Sequence, residues 1–284
     1  MVTIFTPTYN RKVEMEVLYN SLLRQTNMNF EWLIVDDGSK DGTDKLVKKI
    51  MKDSNIKIRY FYKENGGKQS AYNVGLKQTK GDIFFCLDSD EILNENAIDI
   101  IINDFKNIDD DAAGFSYNRA YISDCDSVIG TRFPADVSKA YYYDIYGKLG
   151  VKGDKLMVFK SDIAKEYLFP EIEGEKFVPE ALVFNRIAKK YKLHLSNEIL
   201  SYTEYSNGGY SSDYFNLVKR NPKGNMLYFR EVYDIKSSFY NVYGYLLFAF
   251  FAKCRFRDII KNHPAKFKVL FLYIPVLVIS WIRR

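Results

Sequence analysis

Asp82-Ile83-Phe84-Phe85-Cys86-Leu87-Asp88-Ser89-Asp90 decides the reading of this chain. Residues 83–87 form a short apolar run of the length expected for a buried strand. The run ends on two carboxylates one residue apart. Charge at the end of a buried strand is costly unless something positive meets it. A divalent cation carrying a diphosphate would supply that charge, and carboxylate oxygens suit a hard ion such as Mg2+ or Mn2+. The same tripeptide would also serve as a solvated turn, so the neighbouring segments carry the decision.

On both sides of this stretch, strand and helix patterns alternate. Strand-like runs fall at residues 2–6, 31–35, 57–62, 83–87 and 114–117, and helical patterns at 13–23, 43–51, 70–77 and 95–105. Such alternation implies right-handed crossovers and an α/β fold with a mostly parallel sheet flanked by helices. Ligands in such sheets bind beyond the carboxyl ends of the strands. Thr6-Pro7-Thr8-Tyr9-Asn10, Asp36-Asp37-Gly38-Ser39 and Asp88-Ser89-Asp90 all lie at such ends, so three polar clusters converge on one rim. The acids of the second cluster suit a ribose hydroxyl or a base N–H. They also suit strand-turn-helix punctuation, with Ser39 or Asp41 as a cap. Gly66-Gly67-Lys68 precedes the third helix. Its glycines admit close approach of a ligand, and Lys68 offers charge to a diphosphate. Neither Gly-x4-Gly-Lys-Ser/Thr nor an opening Gly-x-Gly-x-x-Gly occurs, which counts against P-loop kinases and dehydrogenases.

The set Pro7-Thr8-Tyr9-Asn10-Arg11, Asp36-Asp37-Gly38-Ser39, Gly66-Gly67-Lys68, Asn73 and Asp88-Ser89-Asp90, in that order and spacing, resembles the family 2 glycosyltransferases over about residues 1–205. The resemblance implies the GT-A nucleotide-diphospho-sugar transferase fold, a donor that is usually a UDP-sugar, and inversion at the anomeric carbon. It implies that Pro7 and Tyr9 border the base, that Asp37 takes the base N–H with Asp36 nearby, and that Gly66, Gly67, Lys68, Asn73 and Ser89 line the donor. Asp88 would meet the ribose, and Asp90, with Asp88, the Mn2+ or Mg2+ ion. Relatives place a general base at the start of a later helix. Glu180, one residue beyond Pro179, fits that position, and Glu175 is the alternative. Two other readings weigh less. A sugar nucleotidyltransferase wants a Gly-rich loop followed by Arg, which residues 6–11 do not supply. A catalytically degenerate sugar-nucleotide sensor or assembly protein has no reason to keep Asp88, Asp90 and Glu180.

The rest of the chain bounds its setting. Its 284 residues are 47% hydrophobic and carry 23 Tyr and 21 Phe, enough for one α/β domain and an appendage. Three scattered cysteines (86, 125 and 254) and two histidines (194 and 263) form neither a zinc pattern nor a disulfide framework. No apolar leader precedes residue 6, so the catalytic part is expected in the cytosol. A helix N-capped by Ser161 and another opening at Pro179 are expected, then a strand over 194–202. The second domain, residues 206–284, reads as helical. Residues 221–224 join two of its helices, and apolar stretches at 243–252 and 269–282 are each shorter than the ~20 residues of a membrane span. From residue 253 onward eight Lys or Arg face one acid, a balance of +7 that leaves −2 for residues 1–252. A basic tail interleaved with aromatics points to an anionic membrane surface rather than nucleic acid. The expectation is a peripheral protein at the cytoplasmic face, acting on a glycan or lipid-linked acceptor. A homo-oligomer interface is the other use of those apolar faces.

Overall fold

The computed structural model describes residues 1–204 and 213–282. The chain divides into two compact units. One is Met1–Leu168 with Phe184–Tyr205, and the other is Phe169–Val183 with Ser206–Arg284. The segment Phe169–Val183, which the sequence reading placed in the first domain, thus groups with the C-terminal helices.

The first unit runs β1 (Val2–Thr8), α1 (Lys12–Leu23), β2 (Phe30–Asp36), α2 (Thr43–Asp53), β3 (Lys57–Tyr62), α3 (Lys68–Gln78), β4 (Ile83–Cys86), β5 (Glu91–Leu93) and α4 (Ala97–Phe105). It continues with β6 (Ala112–Tyr121), β7 (Lys139–Ala140), α5 (Tyr142–Gly147), β8 (Lys155–Lys160) and α6 (Ser161–Glu166). Helix α7 (Glu180–Ala188) brings the chain back to this unit, and β9 (Lys192–Thr203) closes it. Every residue of β1 and β2 is buried, as a strand covered on both faces requires. Amphipathic α1 contributes Met15, Leu18 and Leu22 to a core shared with Trp32, Ile34 and Phe85.

The sheet order is β3-β2-β1-β4-β8-β6-β9-β5, with β7 on β9. The first four strands are parallel, as expected. Beyond them the sheet is mixed: β8 is antiparallel to both β4 and β6, and β6 is parallel to β9. Two local expectations also change. Ser161 is the first residue of α6 rather than its cap, and the tyrosines at 142 and 143 open the short helix α5.

Register places the rim. Thr8 pairs with Asp36, Asp36 with Tyr62, and Phe5 with Cys86. Pro7, Asp37, Lys63 and Asp88 therefore emerge at one end of the sheet. Helix α3 starts at the same rim because it lies close on β1. A Cβ at Gly75 would meet the Phe5 ring at 2.5 Å, so only glycine permits that approach.

The second unit comprises α8 (Tyr214–Arg220), α9 (Pro222–Ile235), α10 (Phe239–Phe251), α11 (Phe256–Lys261) and α12 (Lys266–Ile282). Residues 221–224, expected as a linker, instead cap α9 and form its first turn. Pro222 is tolerated there because its missing N–H would have no intrahelical partner. Leu246, Ala249, Ile259, Val269 and Val276 form its core. Ser238 caps α10 by accepting a hydrogen bond from the Asn241 N–H. Among the described residues no helix is long and apolar enough to cross a membrane.

Candidate active site

The loops after β1 and β2 are stitched together by their own hydrogen bonds. The Asn10 N–H donates to Ser39 Oγ, the Lys40 N–H to Asn10 Oδ1, and the Lys12 N–H to Asp41 Oδ2. Asp41 also accepts from the Thr43 N–H and hydroxyl. Tyr9 stands on this rim about half exposed (49%), open to stack on a planar ring, while Pro7 beneath it is buried in β1.

The paired acids at the end of β2 have separate tasks. Asp36 is fully buried, and its carboxylate accepts from the Ser39 N–H (2.7 Å) and the Tyr60 hydroxyl (2.7 Å). It holds the turn. Burial, together with this bond to Asp36, keeps the Tyr60 phenol protonated. Asp37 is also buried and organises the glycine loop. Its Oδ1 accepts from Lys63 Nζ (2.7 Å) and the Gly66 N–H (2.9 Å), and its Oδ2 accepts from the Gly67 N–H (2.8 Å). A carboxylate offers about four lone-pair sites, so these bonds leave room for one more donor such as a base N–H. Gly67 sits at φ 92°, ψ 161°, a conformation only glycine adopts without strain. It turns the chain into α3, whose first residue is Lys68. Asn73, further along α3, is buried.

Lys68 Nζ meets Asp88 Oδ2 at 2.7 Å. Burial is the largest single influence and opposes ionisation of Asp88, but the charge and hydrogen bond of Lys68, with the Arg119 charge and the Cys86 thiol, together outweigh it, so the carboxyl is held below its usual range. The turn itself is pinned from below. Glu91, almost fully buried, accepts from the Asp88 N–H (3.0 Å) through Oε2 and pairs through Oε1 with Arg119 of β6. Ser89 is buried in the same turn. Asp90 is the under-compensated member. Burial, then the charge of Asp88, push its carboxyl above the ordinary value, and Arg11 only partly offsets them. Arg11 in turn is held charged first by its bond to Glu14 (2.9 Å), with Asp90 adding to it.

This donor set fits a shared cation better than a resident one. Among the described residues no three His, Cys, Asp or Glu side chains cluster as a metal site. Magnesium and manganese sites of transferases commonly take one or two carboxylates and complete their shell with substrate phosphate and water. Asp90 and Asp88 match that pattern, and the unmet negative charge at Asp90 is what such an ion would neutralise.

The residues expected at Pro7, Tyr9, Asp36, Asp37, Gly66, Gly67, Lys68, Asp88 and Asp90 are thus assembled on one rim of the first unit. Lys63, Glu91, Arg119 and Tyr60 are the members sequence reasoning missed. Glu91 directly follows Asp90, and an acid extending an Asp-x-Asp was the available signal; Arg119 had none.

The two candidate bases belong to the second unit. Glu175 is committed: Oε1 accepts from the Lys223 N–H (2.7 Å) and Oε2 from the Gly224 N–H (2.8 Å), capping α9 from outside. The neighbouring Lys176 N–H donates to Asn221 Oδ1 (2.7 Å). Glu180 opens α7 and is half-buried.

A parallel β3-β2-β1-β4 array with acidic, basic and glycine-rich turns gathered at its carboxyl rim is the arrangement of a GT-A-type nucleotide-sugar transferase. The chain belongs to that class at the level of family: residues 3–168 match the model of glycosyl transferase family 2. An uncharacterized glycosyltransferase of Rickettsia conorii is 42% identical over 99 residues, 35% of this chain and 16% of the relative. The chain matches between 15% and 42% of the length of its curated relatives. Among solved structures, Staphylococcus aureus TarS 1–349 superposes with a TM-score of 0.62 at 19% identity, covering 97% of this chain and 89% of TarS 1–349. The same TarS fragment has been solved with UDP and with UDP-GlcNAc. The mannosyltransferase PcManGT of Pyrobaculum calidifontis, in complex with GDP-Man and Mn2+, has a TM-score of 0.58 at 17% identity over 98% of this chain and 82% of its own.

Proposed function

We propose that this protein transfers a sugar from a UDP-linked donor to a hydroxyl of a glycan or lipid-linked acceptor, with inversion. The observation that carries the reading is the rim itself. Lys68, Arg119 and Arg11 surround Asp88 and Asp90, while Asp37 and Tyr9 stand at the neighbouring strand ends. UDP-GlcNAc, bound in a TarS structure, is the first donor to try.

Tyr9 stacks on the base and Asp37 accepts its N–H, leaving the diphosphate toward Lys68. Asp88, Asp90 and the donor diphosphate would together hold a divalent cation, which supplies Lewis-acid neutralisation of the leaving group. Glu180 accepts the proton of the acceptor hydroxyl. Its place in the first turn of α7 favours the ionised form a base must start from. The acceptor oxygen then bonds to the anomeric carbon as the bond to the diphosphate oxygen breaks on the opposite face. The nucleoside diphosphate leaves with that electron pair. Holding donor and acceptor together supplies a large part of the rate.

The test is calorimetric titration with UDP- and GDP-sugars in the presence of Mn2+ or Mg2+, followed by measurement of slow UDP release to water. Binding of a UDP-sugar that Asp90→Ala weakens is expected. A protein that binds no sugar nucleotide with either ion overturns the assignment.

A further inference from the structure

Helix α12 has two unlike faces. Val269 and Val276 are buried in the core of the second unit, with Leu272 and Tyr273 packed against it. On the other side Phe267 (82% exposed), Leu270 (51%), Phe271 (68%), Ile274 (70%) and Val278 (53%) form an apolar stripe along the helix. A helix on a water-facing surface carries polar residues at such positions. The stripe continues onto α10, where exposed Phe239 meets Phe271 with ring centroids 6.3 Å apart. Lys268 Nζ lies 5.2 Å over the Phe239 ring and 5.3 Å over that of Tyr233. Exposed Lys266 begins the helix.

Charge decides what covers this face. Helix α12 contains two lysines and no acid, and residues 253–284 hold eight Lys or Arg against Asp258. A twofold dimer through the stripe would bring each patch against its own copy, setting cation against cation. Among the described residues no helix is long and apolar enough to cross a membrane. An anionic lipid surface answers both features, taking the apolar stripe between its acyl chains and the lysines among its headgroups. We propose that the α12 face docks on anionic phospholipid, the helix lying in the plane of the interface. The inference rests on this surface alone and not on the transferase reading.

Vesicle flotation of the full chain tests it. Phosphatidylcholine vesicles containing about a third phosphatidylglycerol should carry the protein upward, and pure phosphatidylcholine should carry about tenfold less. Salt at about 0.5 M should weaken the anionic binding. Phe271→Ser with Ile274→Ser should reduce flotation about tenfold with circular dichroism unchanged, as expected when apolar area leaves an interface. Phe267→Ser, at the most exposed position, provides the same test with the least risk to folding. Lys266→Glu with Lys268→Glu should lower binding only to the anionic vesicles. Wild-type protein that stays at the bottom of both gradients, or serine variants that float as well as wild type, would overturn the proposal. A dimer in light scattering that the serine variants dissolve, without vesicle binding, would assign the face to a second copy. Retention on an acidic protein surface without vesicle binding would equally overturn it.

Discussion

Replacing Glu175 by alanine separates structure from catalysis in the second unit. The carboxylate accepts two backbone N–H bonds at the start of α9, from Lys223 and Gly224. Hydrogen bonds to a charged group contribute about 1.5–3 kcal/mol each when neither partner can reach water. Here Lys223 is exposed, so its N–H finds water after the substitution, while Gly224 is buried and its N–H does not. The expected loss is therefore about one such bond plus the favourable end of the helix dipole, or about 2–3 kcal/mol. For a chain of this size that corresponds to a fall in melting temperature of roughly 3–5 °C. Urea unfolding followed by far-ultraviolet circular dichroism measures it. Glu175→Gln keeps one acceptor oxygen and should lose about half as much. UDP release per folded molecule should stay at the wild-type level in both variants. An unchanged unfolding midpoint for Glu175→Ala would refute the capping argument. Loss of turnover in Glu175→Gln at unchanged stability would make that residue the base.

Glu180→Gln should show the opposite pattern, with donor affinity kept and transfer to acceptor reduced by about 10²–10⁴, the usual worth of a general base; wild-type turnover removes the residue from the mechanism. Asp37→Ala leaves Lys63 and the Gly66 and Gly67 N–H groups without their shared acceptor. It should weaken UDP-sugar binding in calorimetry and cost about 2–4 kcal/mol in urea unfolding. His263 is about 1% exposed, and its imidazole pKa is pushed down to about 4 by burial and then by Arg230. The unfolded chain takes up this proton near pH 6.5, so stability is full above that value. It should decline as pH falls toward 4 by about 3 kcal/mol, since one pKa unit is about 1.4 kcal/mol. His263→Asn should flatten the urea midpoint between pH 7 and 5, and an identical decline in both proteins refutes the assignment. Gly75→Ala drives a Cβ to within 2.5 Å of the buried Phe5 ring and should cost about 1–3 kcal/mol in unfolding experiments.

The strand-end clusters were legible because the parallel arrangement is announced locally. Each polar group directly follows an apolar run, and alternation with helices puts all those ends on one rim. Direction was not legible for β8. Its apolar residues look the same whether it runs with or against β4, and only the long-range register shows that it is antiparallel. Arg119 escaped for a related reason. Its partner Glu91 is 28 residues away and on a different strand, so no spacing rule joins them. The division of labour between Asp36 and Asp37 was invisible because adjacent strand-end acids look equivalent until the pleat turns them apart. Residues 221–224 read from the sequence as a connection between two helices, whereas Gly224 sits in the first turn of α9, where a Cβ would meet the Phe177 carbonyl oxygen at 2.9 Å.

The ties between residues 175–176 and 221–224 bear on how this protein can be cut for expression. A clone stopped at the apparent boundary near residue 205 would keep Phe169–Val183 while discarding what holds it: Tyr214 against the Phe177 ring, and the α9 amides that bind Glu175. The loosened stretch includes Glu180, so such a fragment would retain every proposed donor-binding group of the first unit yet lose the contacts that hold the segment leading into its proposed base. Inactivity of that fragment would reflect where the gene was cut.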